Sequence, residues 1–505
     1  MSQFEFPPRS TRGSVLGFTW GQVACVVAAV IAFVVAANLL VAQNRWPAAG
    51  LVAVAVLLVV LALVRIRGRR LTDWLPIAAG ALLQSAAGQD SYRGAVFAPA
   101  AHAGHPDLPG AAAGYRWLTG VAADGTTEIG LLHHRAERTV TAALRCSGQH
   151  LVLADTDVQN RRLADWANAL NILGTEYGEY GLARWALTER AVPDTSNRAR
   201  RYLANRAVDT TSAAYQSLAE LTAAATPTAQ RHDVYLAVCF DVARLSGEIS
   251  EAGGGDAAIA AVVVDKLAGI EATVVEAGLT SHGWLSPRGY AAVLRTQFDP
   301  DDQELVDLRS TGNGASTGVP EGVSPGLAGP AAAEKTGWSI YRHDSGVSQT
   351  LWVTDMPRQR VGATWLTPLY ATTTSRRTVT LVAEPVPAAL AQLAVRRDKV
   401  ARAGDEVTKR KLRLVRTARE TAEARAVEQI DREQAAGHVR YRYAVLVTVT
   451  AEDVAALKRD VRAAKRILGR AGCETVTLYG EQDQAFAAGA LPLARGLKPM
   501  RGWLA

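Results

Sequence analysis

The amino-acid sequence predicts a mixed α+β protein. An N-terminal transmembrane helical hairpin leads into a cytosolic ferredoxin-like α/β body, which is interrupted by a charged helical hairpin. Three observations carry this. Two uncharged apolar runs lie within the first 64 residues. From residue 113 onward, runs rich in β-branched and aromatic residues alternate with segments of helical period, the pattern of α/β and α+β chains. Between residues 387 and 438 this pattern gives way to long, highly charged helical runs.

The hairpin comes first. Residues 21–42 form 22 uncharged positions, and residues 47–64 form a second uncharged run of 18. A bilayer core of ~30 Å takes about 20 helical residues, with about 17 at the low end. A cleavable signal peptide carries one apolar run of about 7–15 residues. Two longer runs joined by Gln43-Asn44-Arg45-Trp46 read instead as two spans. Arg9 and Arg12 precede them, Arg65, Arg67, Arg69 and Arg70 follow, and only Arg45 sits in the turn. The positive-inside rule then places both outer ends of the hairpin in the cytoplasm. Trp20 and Trp46 fall where interfacial aromatics sit. The expected membrane-interface anchors are Trp20, Trp46, Arg65, Arg67, Arg69 and Arg70, and the bilayer is the first expected partner.

Composition bounds the rest. With 505 residues, 49% hydrophobic and 20% charged, the chain can bury sizeable cores. Cys25, Cys146, Cys239 and Cys473 form no CxxC pair, which excludes a disulfide scaffold and a zinc knuckle and suits the cytosol. The net charge of +7, from 47 arginines and eight lysines against 48 acids, does not by itself indicate nucleic acid.

Residues 71–112 form a connector: an apolar helix at the membrane surface over 71–88, with Asp73 and Trp74 near its start, then a turn-rich stretch. Strand-like runs at 115–121, 128–133, 139–145 and 150–154 predict a small sheet or barrel over 113–155. A first α/β part spans 156–308. Asp155 or Asp157 caps a helix whose Leu163, Trp166, Ala167, Leu170 and Leu173 share a face. A strand over 182–188, helix over 200–225, a buried strand over 234–243, and helices over 257–277 and 287–296 follow. Residues 309–330 are a Gly/Pro-rich loop, and 331–386 hold strands at 338–342, 350–354 and 378–385. The C-terminal part, 439–505, reads strand (441–450), helix (452–471), strand (475–479), helix (481–488). Ala277-Gly278 and Ala471-Gly472 each close a long helix, so two related halves are expected.

Within the charged segment, residues 396–433 carry 12 basic and 8 acidic side chains, interleaved as on a solvated face. Leu393, Val400, Val407 and Leu414 recur every seven residues, and Val427 falls one short of that register. This spacing suits a seam between the arms or with a partner helix, so these five are the candidate docking residues.

No catalytic motif survives inspection. Gly322-Val323-Ser324-Pro325-Gly326 fits G-x-S-x-G, but Pro325 has no N–H for an oxyanion hole. Residues 329–336 (GPAAAEKT) approach the phosphate-loop pattern, yet Glu334 replaces its second glycine and Pro330 removes a donor. His133-His134 point to opposite faces of a strand, and His102 and His105 lie in a Gly/Pro loop without a carboxylate or cysteine at ligand spacing. A non-enzymatic protein with no cofactor and no metal is the expectation.

Several stretches resemble a known family. They are Leu108-Pro109-Gly110, Glu128-Ile129-Gly130, residues 157–173, Leu187-Thr188-Glu189-Arg190 and Val192-Pro193-Asp194. Gln230-Arg231-His232, residues 329–334, Tyr341-Arg342-His343, Glu384-Pro385-Val386-Pro387 and residues 447–451 continue the match, which closes on residues 482–486 and 491–497. Together they look like actinobacterial membrane proteins of conjugative and type IV secretion-like gene clusters, in which a PrgI-like two-span segment is joined to a motor-less domain resembling the N-terminal domain of conjugation ATPases. The resemblance implies an inner-membrane platform subunit that works with a separate ATPase and with sister subunits. Residues 303–328 are unusually Gly-rich for the family, and residues 71–92 are less basic than its pattern. A type VII secretion membrane component and a membrane-tethered nucleic-acid-binding module are the competing expectations.

Overall fold

The computed structural model describes residue 6 and residues 20–66, 69–94, 104–148, 154–194, 196–226, 229–309, 320–371, 375–411 and 418–497. It forms two compact units, one built mainly from residues 89–387 and 439–505, the other from residues 6–88 and 388–438.

The second unit opens with two helices, α1 (Trp20–Val41) and α2 (Arg45–Leu63), within two residues of the expected spans. A short antiparallel pair, β1 (Arg65–Ile66) and β2 (Arg69–Arg70), then leads into α3 (Leu71–Ala86).

The first unit is organised around one antiparallel sheet of 13 strands. Its first half contains β3 (Ser91–Arg93), β4 (Tyr115–Val121), β5 (Glu128–His134), β6 (Thr139–Ser147), α4 (Thr156–Glu179), β7 (Leu182–Pro193), α5 (Asn197–Arg206), α6 (Ala213–Ala225), β8 (Gln230–Asp241), α7 (Ser246–Glu251), α8 (Gly255–Glu276), β9 (Thr280–Trp284), α9 (Pro287–Phe298) and α10 (Asp302–Arg309). The chain continues through β10 (Ala332–Thr336), β11 (Ile340–His343), β12 (Gly346–Asp355), α11 (Thr367–Ala371) and β13 (Arg376–Pro385). After α12 (Ala388–Lys411) and α13 (Ala418–Ala435), which belong to the other unit, it returns as β14 (Tyr441–Ala451), α14 (Val454–Arg470), β15 (Glu474–Thr477) and α15 (Gln482–Gly489).

The strand order is β3-β10-β11-β12-β14-β13-β7-β8-β6-β5-β4, with β15 also paired to β12 and β9 to β6. Outward from the central β7–β13 contact the two arms match strand for strand: β8 with β14, β6 with β12, β9 with β15, β5 with β11, β4 with β10. The chain order matches too. Each half runs three strands, a helix, a strand, a two-helix excursion, a strand, a long helix, a short strand and a closing helix, with α7 and α10 as additions in the first half. The two Ala-Gly sites occupy equivalent places. Gly278 (φ 93°) and Gly472 (φ 83°) adopt the left-handed turn that ends α8 and α14, conformations a side chain resists. Leu279 N donates to Val274 O (3.1 Å) and Cys473 N to Leu468 O (2.9 Å), the same closing bond in both halves.

Alternation along the strands builds two cores. On one face, Leu236, Val238, Phe240, Leu381 and Ala383 pack beneath Leu173 of α4 and Val263, Leu267 and Ile270 of α8. On the same side of β13, Val379 joins Val447 and Val449 beneath Leu457, Val461 and Leu468 of α14. Each such side chain contributes about 1.5–3 kcal/mol relative to exposure. The opposite face is covered by Tyr290 and Phe298 of α9 and Phe486 of α15, with the two Phe rings 5.2 Å apart.

Four expectations need correction. β4, β5 and β6 are not a separate small sheet or barrel but one arm of the large sheet, because β6 pairs with β8 at Ala142↔Val238. The expected strand over 150–154 lies, but for residue 154, outside the described residues. Ala167 is exposed and Ala169 takes its place on the buried face of α4. Residues 200–225 are two helices, and the turn-rich stretch hides β3, which pairs with β10.

Candidate functional site

The apolar helices make contact along small residues. Gln22, Ala29 and Ala36 of α1, and Ala48, Ala55 and Ala62 of α2, each recur every seven residues, and all are buried. Alanine at these positions lets two backbones approach closely, and Leu51 and Leu58 fill the gaps against Ala29, Ala32 and Ala55. Gln22 Nε2 donates to the carbonyl of Ala62, so the polar side chain in this seam is satisfied. The remaining surface is apolar and exposed: Val27, Val30, Ile31, Phe33 and Val34 on α1, and Val54, Val56, Leu57, Val60 and Leu63 on α2. Both helices are long and apolar enough to cross a membrane, and only 11% and 17% of their apolar windows are buried. A core helix of a soluble protein hides such a surface.

Of the expected interface anchors, Trp46 stands 90% exposed in the first turn of α2. Trp20 begins α1, and Arg65, Arg69 and Arg70 lie in β1 and β2; their side chains, and all of Arg67, fall outside the described residues. Trp74 Nε1 donates to Ile66 O at 3.2 Å and ties α3 to the β1–β2 turn.

In the charged helices, Lys399 Nζ meets Asp431 Oδ2 at 2.6 Å. Leu393 and Val400 are exposed, whereas Ala391, Val395 and Val427 are buried. Ala391 and Val395 lie four residues apart on α12, and Leu393 and Val400 are not among the buried residues described there. Val407 lies in α12 with its side chain outside the described residues, and Leu414 is outside them altogether.

The motif-like stretches are structural. Residues 325–327 form a 3-10 turn whose Pro325 carbonyl accepts from Trp117 Nε1 at 3.0 Å, and the described residues just before it, 320–324, form no strand. The run over 332–336 is β10, and Lys335 Nζ sits 3.2 Å from Asp483 Oδ2 in the first turn of α15. His134 Nδ1 accepts from the Glu137 N–H at 3.1 Å, so Nε2 is left to donate to Ala113 O at 3.1 Å. His133 has its Nδ1 3.9 Å from Asp256, and burial lowers the pKa of both histidines. His102 lies outside the described residues; His105 Nδ1 is 3.2 Å from Tyr115 O. Among the described residues, no group of three or more His, Cys, Asp or Glu is placed to hold a metal ion. Burial pushes the Cys146 thiol up to about 12 and that of Cys473 to about 11, which makes both poor nucleophiles.

The main polar centre escaped sequence reasoning. Asp233, at the start of β8, is 5% exposed and meets Arg190 at 2.8 Å, Arg231 at 3.2 Å and Arg145 at 3.8 Å. Arg190 also donates to Thr296 Oγ1 of α9 (2.8 Å), and Arg231 pairs with Asp307 of α10 (2.7 Å). Burial alone would raise the Asp233 pKa; the surrounding guanidinium groups outweigh it and hold it below the ordinary value. A second network fixes residues 490–497. Gln297 Nε2 donates to Ala490 O (2.9 Å), Arg184 Nη1 to Leu497 O (3.3 Å), and Arg495 joins Glu137 (2.5 Å) and Tyr115 OH (3.2 Å). A third is wholly enclosed: His343 Nδ1 lies 2.6 Å from Phe298 O, and Nε2 lies 2.7 Å from Ser348 Oγ, which reaches Thr450 Oγ1 at 2.8 Å. His343 is fully buried and its pKa falls to about 4, so it is neutral at physiological pH. With no exposure of His343 or Ser348, this Ser–His contact has no route to a substrate. An open cleft of about 710 Å³ lies at the end of the sheet, lined by Arg231, Asp307, Arg459 and Asp460 among others, but Arg231–Asp307 and Arg459–Asp460 already pair with each other.

No family model matches the chain, and no curated protein matches it.

Proposed function

We propose that this protein is a non-enzymatic platform subunit of the inner membrane, part of a conjugative or type IV secretion-like translocation machine, which docks a separate ATPase. The observation that carries the reading is the exposed apolar girdle of α1 and α2, both long and apolar enough to cross a membrane. The arginine distribution favours a two-span insertion with both outer ends cytoplasmic. Each half of the body is read as ferredoxin-like: β6-α4-β7-β8-α8-β9 in the order β9-β6-β8-β7, and β12-α11-β13-β14-α14-β15 in the order β15-β12-β14-β13. α12 and α13 are read as a helical hairpin inserted between β13 and β14, offering Leu393 and Val400 to the motor or to a sister subunit.

Deleting residues 396–433 and bridging the gap with a Gly/Ser linker tests this. The expected outcome is an unchanged melting profile with loss of co-purification of the ATPase and loss of transfer. Transfer at the full rate by the deleted protein rejects the docking role.

A further inference from the structure

Basic charge is gathered on one side of α14, in contrast to the interleaved charges of the α12 and α13 sequence. This 17-residue helix carries six basic residues, Lys458, Arg459, Arg462, Lys465, Arg466 and Arg470, against a single acid, Asp460. Leu457, Val461, Ala464 and Leu468 are buried and fix the rotation of the helix on the sheet. At ~100° per residue, the six basic positions then fall within an arc of about 140° on the outer side. Lys458, Arg459, Arg462, Arg466 and Arg470 are exposed; Lys465 is half-buried and donates to Thr477 Oγ1 at 2.9 Å. Asp460 is half-buried and lies off this arc. Arg459 pairs with its sequence neighbour Asp460 at 3.6 Å and also acts on Asp453 at the start of the helix. Among the described residues, Lys458, Arg462, Arg466 and Arg470 have no acidic partner.

The chemistry of this face selects its partner. None of the large hydrophobic residues exposed on the molecule lies on α14. A helix that lies in a membrane surface brings apolar side chains to bury among the lipids, and a protein–protein interface needs an apolar centre. A stripe of cations alone fits a polyanion. From Lys458 to Arg470 the helix advances ~18 Å at 1.5 Å per residue, a length over which duplex DNA presents about ten phosphates. We infer that the outer face of α14 binds the phosphate backbone of nucleic acid, without reading sequence. Contacts of this type position the polymer and leave its bases unread. The inference goes beyond a platform that docks a motor: it gives the platform direct contact with a nucleic acid cargo.

The test uses the full chain in phosphatidylcholine nanodiscs and a short fluorescent DNA duplex. The duplex is expected to bind at about 50 mM salt and to be released steeply by about 200 mM. Combining Lys458→Ala, Arg462→Ala, Arg466→Ala and Arg470→Ala is expected to abolish binding or to flatten the slope of log K against log salt by about 3–4, at ~0.9 per phosphate contact. The milder pair Arg462→Gln and Arg466→Gln, at exposed sites, should flatten it by about 2 by the same rule. Arg396→Ala with Arg397→Ala, on the interleaved face of α12, should leave the slope unchanged. Equal affinity and slope in the α14 variants overturns the inference. So does loss that follows the α12 variant instead, or retention of phosphatidylserine vesicles without retention of DNA.

Discussion

Asp233→Ala is expected to lower the unfolding free energy by about 3–5 kcal/mol, the usual cost of removing one partner from a buried ion pair. The carboxylate is 5% exposed and Arg190 is 2% exposed, so truncation leaves a guanidinium with no counter-charge in the centre of the sheet. For a body of this size that amounts to a fall in melting temperature of roughly 5–10 °C. Acid should mimic the substitution. The folded pKa of Asp233 lies below its unfolded value near ~3.9. Its contribution is therefore complete above that value and is lost as pH falls through the folded pKa. Buried His343 adds an earlier loss, since its folded pKa of about 4 lies below the unfolded ~6.5, and the unfolded chain takes up the proton first between the two. Thermal melts from pH 7 to pH 3 should show both steps in the parent protein. Asp233→Asn should keep the first step and lose the second; an unchanged profile in that variant refutes the assignment.

Gly130→Val is expected to cost about 3 kcal/mol or more, through overpacking against main chain that cannot yield. A Cβ at Gly130 would stand 2.8 Å from Cα and N of Pro287 and 2.9 Å from the Ser286 carbonyl carbon. The same glycine donates its N–H to Leu285 O at 2.8 Å, so relief by movement breaks a strand-to-loop bond and lifts the start of α9. Tyr290, Leu294 and Phe298 are all buried on that helix. Gly247→Ala, at a site with no atom within 4 Å of the new carbon, should change stability by no more than about 0.5 kcal/mol. Urea unfolding of the three proteins checks this; equal midpoints would show that the Gly130 contact carries no energetic weight.

Gly130 also shows what a single sequence reveals. Its neighbours on β5 announce a strand by composition, and hydropathy alone located α1 and α2 to within two residues. Local period is a property of adjacent residues. The contact between Gly130 and Pro287 joins parts of the chain more than 150 residues apart, and the β7–β13 pairing that unites the halves is also non-local. For that reason β4, β5 and β6 read as a separate sheet. Asp233 was invisible as a hub for the same reason: Arg145 and Arg190 reach it from other strands, and Asp307 of α10 reaches its partner Arg231. Two signals were legible and passed unread. Ala48, Ala55 and Ala62 step by seven along α2, and Lys458, Arg462, Arg466 and Arg470 step by four along α14. Of the heptad drawn through Leu393 and Val400, both residues are exposed while Ala391 and Val395 are buried, so Leu393 and Val400 stay open to a partner helix.

The central claim is that α1 and α2 hold the sheet at the cytoplasmic side of the membrane. Reporter fusions in cells measure this directly. Alkaline phosphatase joined after Ala505 should be inactive, green fluorescent protein joined there should fluoresce, and phosphatase placed between Asn44 and Arg45 should be active. An active phosphatase after Ala505, or a soluble and fully cytosolic fusion, would contradict the account.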